Sequence, residues 1–181
     1  MRRLDAEALR DAMLCVSGEL DRRVGGQYVP SRRTAEGAVA IAEGRAGARR
    51  RSVYLQQRRT QVVTLLQLFD APPIVGSCGT RTTSTVPLQS LALLNSEFAR
   101  LRAQAFAQRL RREAGPDAGR RLALAFRLAC GREPVAEEVA AARRFLAAQE
   151  RAYAGQEGAE ARTWADLSQM ILASNAFLYV E

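Results

Sequence analysis

Four runs in the second half of the chain repeat apolar side chains at helical spacing, separated by short glycine or proline stops. Residues 96–114 place Phe98, Leu101, Ala105 and Leu110 on one face and most of their arginines off it, and Gly115-Pro116 ends the run. Asp117 then caps a run holding Leu122, Ala125, Phe126 and Leu128, which Gly131 closes. Pro134 and the acids Glu137 and Glu138 open a third helix over 135–153. Thr163 begins a fourth, with Trp164, Leu167, Met170, Ile171 and Leu172 as its stripe. A period near 3.6 commits each run to an amphipathic helix, and such short links commit neighbouring helices to antiparallel packing. Only 6% of residues are aromatic. The core is therefore mostly Leu, Ala and Val, and the predicted fold is all-α.

The first half is less regular. Leu4, Leu9, Met13, Val16 and Leu20 predict a helix over 4–22, with Gly25-Gly26 as its stop. Residues 24–50 are rich in Gly and small side chains and read as one long mobile loop. In RRRSVYLQQRR, Val53 and Leu55 alternate with polar neighbours, which predicts a short strand or an extended segment. Residues 60–70 read as a short apolar helix stopped by Pro72-Pro73. Asp70, just before that stop, is placed to bond a backbone turn or to pair with Arg51 or Arg81. The whole chain reads as one irregular multi-helix domain of 181 residues.

The segment Cys78–Asn95, CGTRTTSTVPLQSLALLN, gathers the chemistry. Pro87 suits the first position of a helix, and Arg81, Thr82, Thr83, Ser84 and Thr85 precede that start, where unpaired N–H groups favour negative charge. Gln89 stands three residues beyond Val86, and Asn95 is placed to end this helix and cap the next. Two readings stay open: a well-capped turn, or an anion or partner site. Arg51, Asp70, Cys78, Arg81, Thr82, Ser84, Thr85, Gln89 and Asn95 are the candidate residues.

Net charge is +8, and all 27 basic residues are arginine. The excess sits mainly in residues 1–90, with 14 arginines against 8 acids. Arg45, Arg49, Arg50, Arg51, Arg58 and Arg59 follow one another with no acid between them. Such a run supports a phosphate-facing surface, although only Tyr54 interleaves it and no nucleic-acid motif accompanies it. The absence of histidine excludes His-based metal sites, Ser-His and Cys-His pairs and c-type haem attachment. Three widely spaced cysteines give no disulfide framework. Cys15 and Cys130 are expected to be small buried hydrophobes, and Cys78 to be the one thiol worth testing for reactivity. No run of about 18 apolar residues is present, and MRRLDAEALR is not a signal peptide. No cofactor is expected in this chain, and no catalytic residues are assigned.

Taken together, RRLDAEALRDAMLCVSGEL, RRSVYLQQRR, LFDAP, CGTRTTSTVPLQSLALLN, AFRLACGREPVAEE and SNAFLYV resemble one family. It is the planctomycete PSD-one C-terminal domain of unknown function (domain of unknown function fifteen-fifty-three). The resemblance runs from about residue 2 to 181, with segment 33–48 poorly matched. It implies a place behind a cytochrome-c-like domain and a cytochrome-associated domain, in proteins that are exported or belong to the cell envelope. Relatives carry further sequence before RRLDAEALRDAM, so the chain is expected to be a fragment lacking its N-terminal part. The family has no established activity.

Three functions follow as expectations. The first is a helical interaction or structural module that docks on neighbouring domains or a protein partner. The second is an anion or sulfated-glycan site at Cys78–Asn95, where Arg51 adds a fork-shaped contact and Asp70 or another carboxylate is the candidate base if the site is catalytic. The third and least favoured is nucleic-acid binding through Arg45–Arg59.

Overall fold

The computed structural model describes residues 2–74, 78–81 and 83–180. The chain opens with a two-residue strand β1 (Arg2–Arg3) and helix α1 (Ala6–Val16). Helix α1 ends earlier than the sequence predicts. Gly18 adopts φ +78°, a conformation that is cheap for glycine, and it turns the chain before Leu20 can extend the helix.

The stretch 24–50, expected to be one loop, carries a hairpin of β2 (Arg32–Arg33) and β3 (Val39–Ala40). Val29, Val39 and Ala48 from this stretch are buried. The period-two segment that follows is corrected by the structure. Residues Ser52–Tyr54 form one 3₁₀ turn, with Ser52 buried and Val53 exposed. Extended geometry survives at single positions on either side of that turn, with Arg50 in a parallel bridge to Asp21 and Leu55 in one to Val29. Ser52 faces inward because the Asp11 carboxylate accepts both its N–H (2.8 Å) and its hydroxyl (2.7 Å), and this outweighs the apolar alternation.

Helices α2 (Thr64–Leu68) and α3 (Pro87–Asn95) follow, with Pro87 at the helix start as predicted. Asn95 ends α3 as expected, but the cap of helix α4 (Glu97–Ala114) is Ser96, whose hydroxyl accepts the Ala99 N–H, and not Asn95. Asp117 caps α5 (Ala118–Cys130) by accepting the Arg120 N–H at 2.7 Å, and Gly131 closes it at φ +69°.

Helix α6 (Ala136–Ala152) follows, with the Glu138 carboxylate accepting the Val135 N–H. Helix α7 (Ala159–Leu172) starts four residues before the predicted Thr163, which lies fully buried inside it. The chain ends in α8 (Asn175–Leu178) and β4 (Tyr179–Val180). Strand β4 pairs antiparallel with β1, so the two ends of the described chain meet.

The most extensive helix pair is α4 against α7. Ala99, Ala103 and Ala107 form a buried row at four-residue spacing on α4, and small side chains set a short interaxial distance. Phe106, Leu110, Leu122, Trp164, Leu167 and Leu172 complete one end of the core. Leu9, Met13, Leu66, Phe69 and Leu93 fill the other. The molecule is mostly helical, with only two-residue strands among its described residues.

Arginine takes part in this interior. Arg3, Arg10, Arg50, Arg102 and Arg121 are all buried. Arg10 is 2% exposed and donates to the carbonyls of Ala48 (2.7 Å) and Arg50 (3.0 Å) and to the Ser52 hydroxyl (3.3 Å). Arg50 donates to the carbonyls of Arg23, Gly25 and Gln27 and stacks on Tyr54, with its guanidinium carbon 3.7 Å from the ring centroid.

Arg102 lies against Glu19 and Glu43, each at 2.8 Å, although its Nε–H is not aligned for a hydrogen bond to Glu19. Arg109 reaches from α4 to the carbonyls of Cys15 and Val16 at the end of α1. Irregular backbone has few ladder partners for its carbonyls, and a five-donor planar fork supplies them. Burial pulls the Arg10 guanidinium down to about 10 while Asp11 and Glu43 oppose that pull, so it stays charged near neutral pH.

Candidate functional site

Helix α2 ends in a Schellman turn. The Ala71 N–H donates to the Leu66 carbonyl (2.9 Å) and the Asp70 N–H to the Gln67 carbonyl (3.2 Å). The residue at the left-handed position of such a turn is usually glycine, but here it is Asp70, at φ +63°. No other described non-glycine residue has positive φ. An aspartate tolerates this conformation better than most residues, at some local cost.

What holds Asp70 there is its side chain. Its carboxylate accepts from Arg3 Nη2 (2.7 Å), from the Ser84 N–H (2.8 Å) and from the Ser84 hydroxyl (2.8 Å). Arg3 also donates to the Phe69 carbonyl (3.2 Å), to Gln89 Oε1 (3.0 Å) and to the Ser84 carbonyl. Gln89 Nε2 donates in turn to the Leu68 carbonyl at 2.9 Å. The four side chains Arg3, Asp70, Ser84 and Gln89 thus knot together the first strand, the end of α2 and the start of α3.

The pairing expected between Asp70 and Arg51 or Arg81 does not form: Arg3 takes that place. Arg81 binds Glu7 with both amino groups (2.7 and 3.3 Å) and lies 3.7 Å from Asp5. Arg51 is exposed, 3.9 Å from Asp11. Cys78 is exposed, its thiol donating to the Thr80 carbonyl at 3.2 Å. Thr85 and Asn95 are exposed, and Thr82 lies outside the described residues. Of the nine candidates, then, the structure brings together Asp70, Ser84 and Gln89 and leaves Arg51, Cys78, Arg81, Thr85 and Asn95 outside the knot.

Arg3 was missed by sequence reasoning. The signal was the alternation Arg2, Arg3, Leu4 beside a buried helix: in a two-residue strand one arginine must face in. Gln89, a polar residue on the buried side of α3, carried the matching signal.

Burial alone raises the Asp70 carboxyl. The Ser84 N–H, the Arg3 guanidinium and the Ser84 hydroxyl together outweigh it and hold the group below its ordinary range. A carboxylate stabilised in this way is a weaker general base than a free one. Among the described residues no group of three or more Cys, Asp or Glu side chains is placed to hold a metal ion.

The arginine run is broken up by the fold. Arg50 points inward, Arg49 pairs with Glu19 at 3.0 Å, and Arg51 faces Asp11. Arg45, Arg58 and Arg59 stay exposed. The acids that the run itself lacks come from α1 and the turn behind it. The cysteine expectations also change. Cys15 is exposed, because α1 turns that position away from the packed face, and Cys130 is half-buried against the edge of the core.

A second surface feature lies on α3. Gln89 and Leu93 face inward, while Leu88, Leu91 and Leu94 are exposed, as is Val86 just before the helix. Spacing of three residues keeps the three leucines on one side of the helix. No helix of the described residues is long and apolar enough to cross a membrane.

A family model for PSD1, described as a protein of unknown function (DUF1553), matches residues 1–146. No curated protein and no solved structure matches the chain.

Proposed function

Given that the chain belongs to the PSD1 family of proteins of unknown function (DUF1553), we propose that it is an interaction module. In this reading its polar ties set irregular loops onto a helical body and present α3 to a partner. The observation that carries it is the two-sidedness of α3. Gln89 is locked into the Arg3–Asp70–Ser84 knot on the inner side, and Leu88, Leu91 and Leu94 stand in water on the outer side. A contiguous exposed apolar ridge marks contact surfaces more often than scattered single leucines do.

The family match ends inside α6, yet β4 pairs with β1, so residues 147–180 belong to the same body. The setting implied by the sequence resemblance extends the proposal. The module would be the C-terminal part of an exported, cytochrome-associated protein, and the ridge would dock on its neighbouring domains. A photo-reactive side chain at position 91 tests this in the native host, with exposed position 147 on α6 as control. A discrete cross-link to a haem-bearing domain from position 91 alone is the expected result. Equal cross-linking from both positions, or none from 91, removes the reading.

Anion or sulfated-glycan binding at Cys78–Asn95 is the weaker proposal. Arg81 is already met by Glu7 and Asp5, and Arg3 by Asp70, so an anion must displace carboxylates to bind. Nucleic-acid binding through Arg45–Arg59 ranks below it, since Arg49 and Arg51 face acids and Arg50 is buried.

A further inference from the structure

A cleft of about 380 Å³ lies between the β2–β3 hairpin, α2 and the α3–α4 junction, and its wall residue Leu68 gives its carbonyl to Gln89 of the polar knot. Its walls are Val39, Ile41, Val63, Leu65, Leu68 and Phe98. A space of this size, mostly apolar with few polar groups, has the form of a small-ligand site.

The charged groups around it are unequal. One arginine, Arg10, lines it against three glutamates, Glu36, Glu43 and Glu97. Arg10 keeps its charge, hydrogen-bonds the Ala48 and Arg50 carbonyls and the Ser52 hydroxyl, and is balanced by Asp11 at 3.6 Å. Glu43 is spent on Arg102. Glu36 and Glu97 are exposed at the mouth and are not ion-paired among the described residues. On a chain of net charge +8, this is an apolar hollow with an acidic rim. Such a rim attracts cations and repels carboxylates over a distance of about 10 Å at moderate salt.

The geometry points to a binding site for a small organic cation, an aryl or branched alkyl group carrying a protonated amine. The apolar body would enter against Leu65, Leu68 and Phe98, and the ammonium would stay at the mouth between Glu36 and Glu97. The inference is independent of the ridge on α3 and goes beyond the docking role.

The test compares three probes of one shape by amide chemical shifts of the full chain: phenethylammonium, 2-phenylethanol and 3-phenylpropionate. Shifts at Val39, Ile41, Leu65 and Phe98 are expected with the ammonium, tighter than with the alcohol by about two- to fivefold per exposed carboxylate, and weakest with the carboxylate. The double variant Glu36→Gln/Glu97→Gln, at exposed positions, is expected to erase that order while the alcohol binds as before. Alcohol binding as tight as the ammonium overturns the assignment, as do shifts outside the cleft or a charge preference that survives the double variant.

Discussion

The guanidinium of Arg3 lies 2.7 Å from the carboxylate of Asp70, and Asp70 holds a left-handed backbone at φ +63° to receive it. The pair spans 67 positions of chain and joins the first strand to the end of α2. Removing one partner strands the other: Arg3 keeps its burial and loses its counter-charge. Asp70 is itself part-exposed, so Asp70→Ala is expected to cost about 2 kcal/mol, below the range for breaking a fully buried pair. Asp70→Asn keeps an acceptor and tolerates positive φ, so it should cost distinctly less. Urea denaturation of both variants checks the order, and equal losses would contradict it.

The pH dependence follows from the same pair. The folded Asp70 pKa is lowered, so its contribution is fully present above the unfolded value near 4 and is lost as pH falls through the folded value. Stability should therefore decline below about pH 4, and Asp70→Asn should flatten that decline. Denaturant midpoints between pH 2 and 7 would show it. A variant with the wild-type slope would assign the acid sensitivity elsewhere.

Arginine at position 10 is not replaceable by lysine. Its fork reaches two carbonyls and a hydroxyl at once, and an ammonium on a flexible stem does not. Arg10→Lys should cost about 2 kcal/mol or more through stranded buried acceptors. Arg58→Lys, on an exposed residue, should stay within about 0.5 kcal/mol. Thermal and chemical melts of the two variants separate the cases.

Helix α3 offers an inside–outside contrast two residues apart. Leu93 is 2% exposed and Leu91 49%. Leu93→Ala should lose about 2–5 kcal/mol by leaving a cavity. Leu91→Gln should be near neutral for stability and should instead reduce the cross-link yield from the adjacent ridge, read with the photo-reactive group at Leu88. A large stability loss for Leu91→Gln would mean that the ridge packs within the chain.

The thiols should react unequally. Cys15 and Cys78 are exposed, whereas burial pushes the Cys130 thiol up. Thiolate is the reactive form, so a thiol-exchange reagent at pH 8 should label two residues quickly and Cys130 slowly. Peptide mapping at short times decides this.

Much of the helical framework was legible in the sequence. The start of α3 at Pro87, the Asp117 cap and the Gly131 stop are local events, settled by residues within one turn of each other. The candidate site was half legible. Asp70, Ser84 and Gln89 stood out as polar residues next to apolar elements, but Arg3 lay just before the predicted helix and had no role assigned to it. The end of α1 was missed because a single glycine, Gly18, turned the chain inside a still-periodic run, and the inward Ser52 because a distant contact, the Asp11 carboxylate, overrode local periodicity.

By itself, then, the sequence determined a histidine-free, arginine-only, mostly helical chain with its main helix stops in place. Helix propensity, capping and apolar period act over a few residues, so they can be read without knowing the fold. Only the tertiary structure decided which arginines are buried and which carbonyls and acids they meet. Those partners lie 38 to 42 positions away for Arg10 and 59 for Arg102 with Glu43. A guanidinium donates to any nearby oxygen, so its choice is made by the packing that brings the oxygen near.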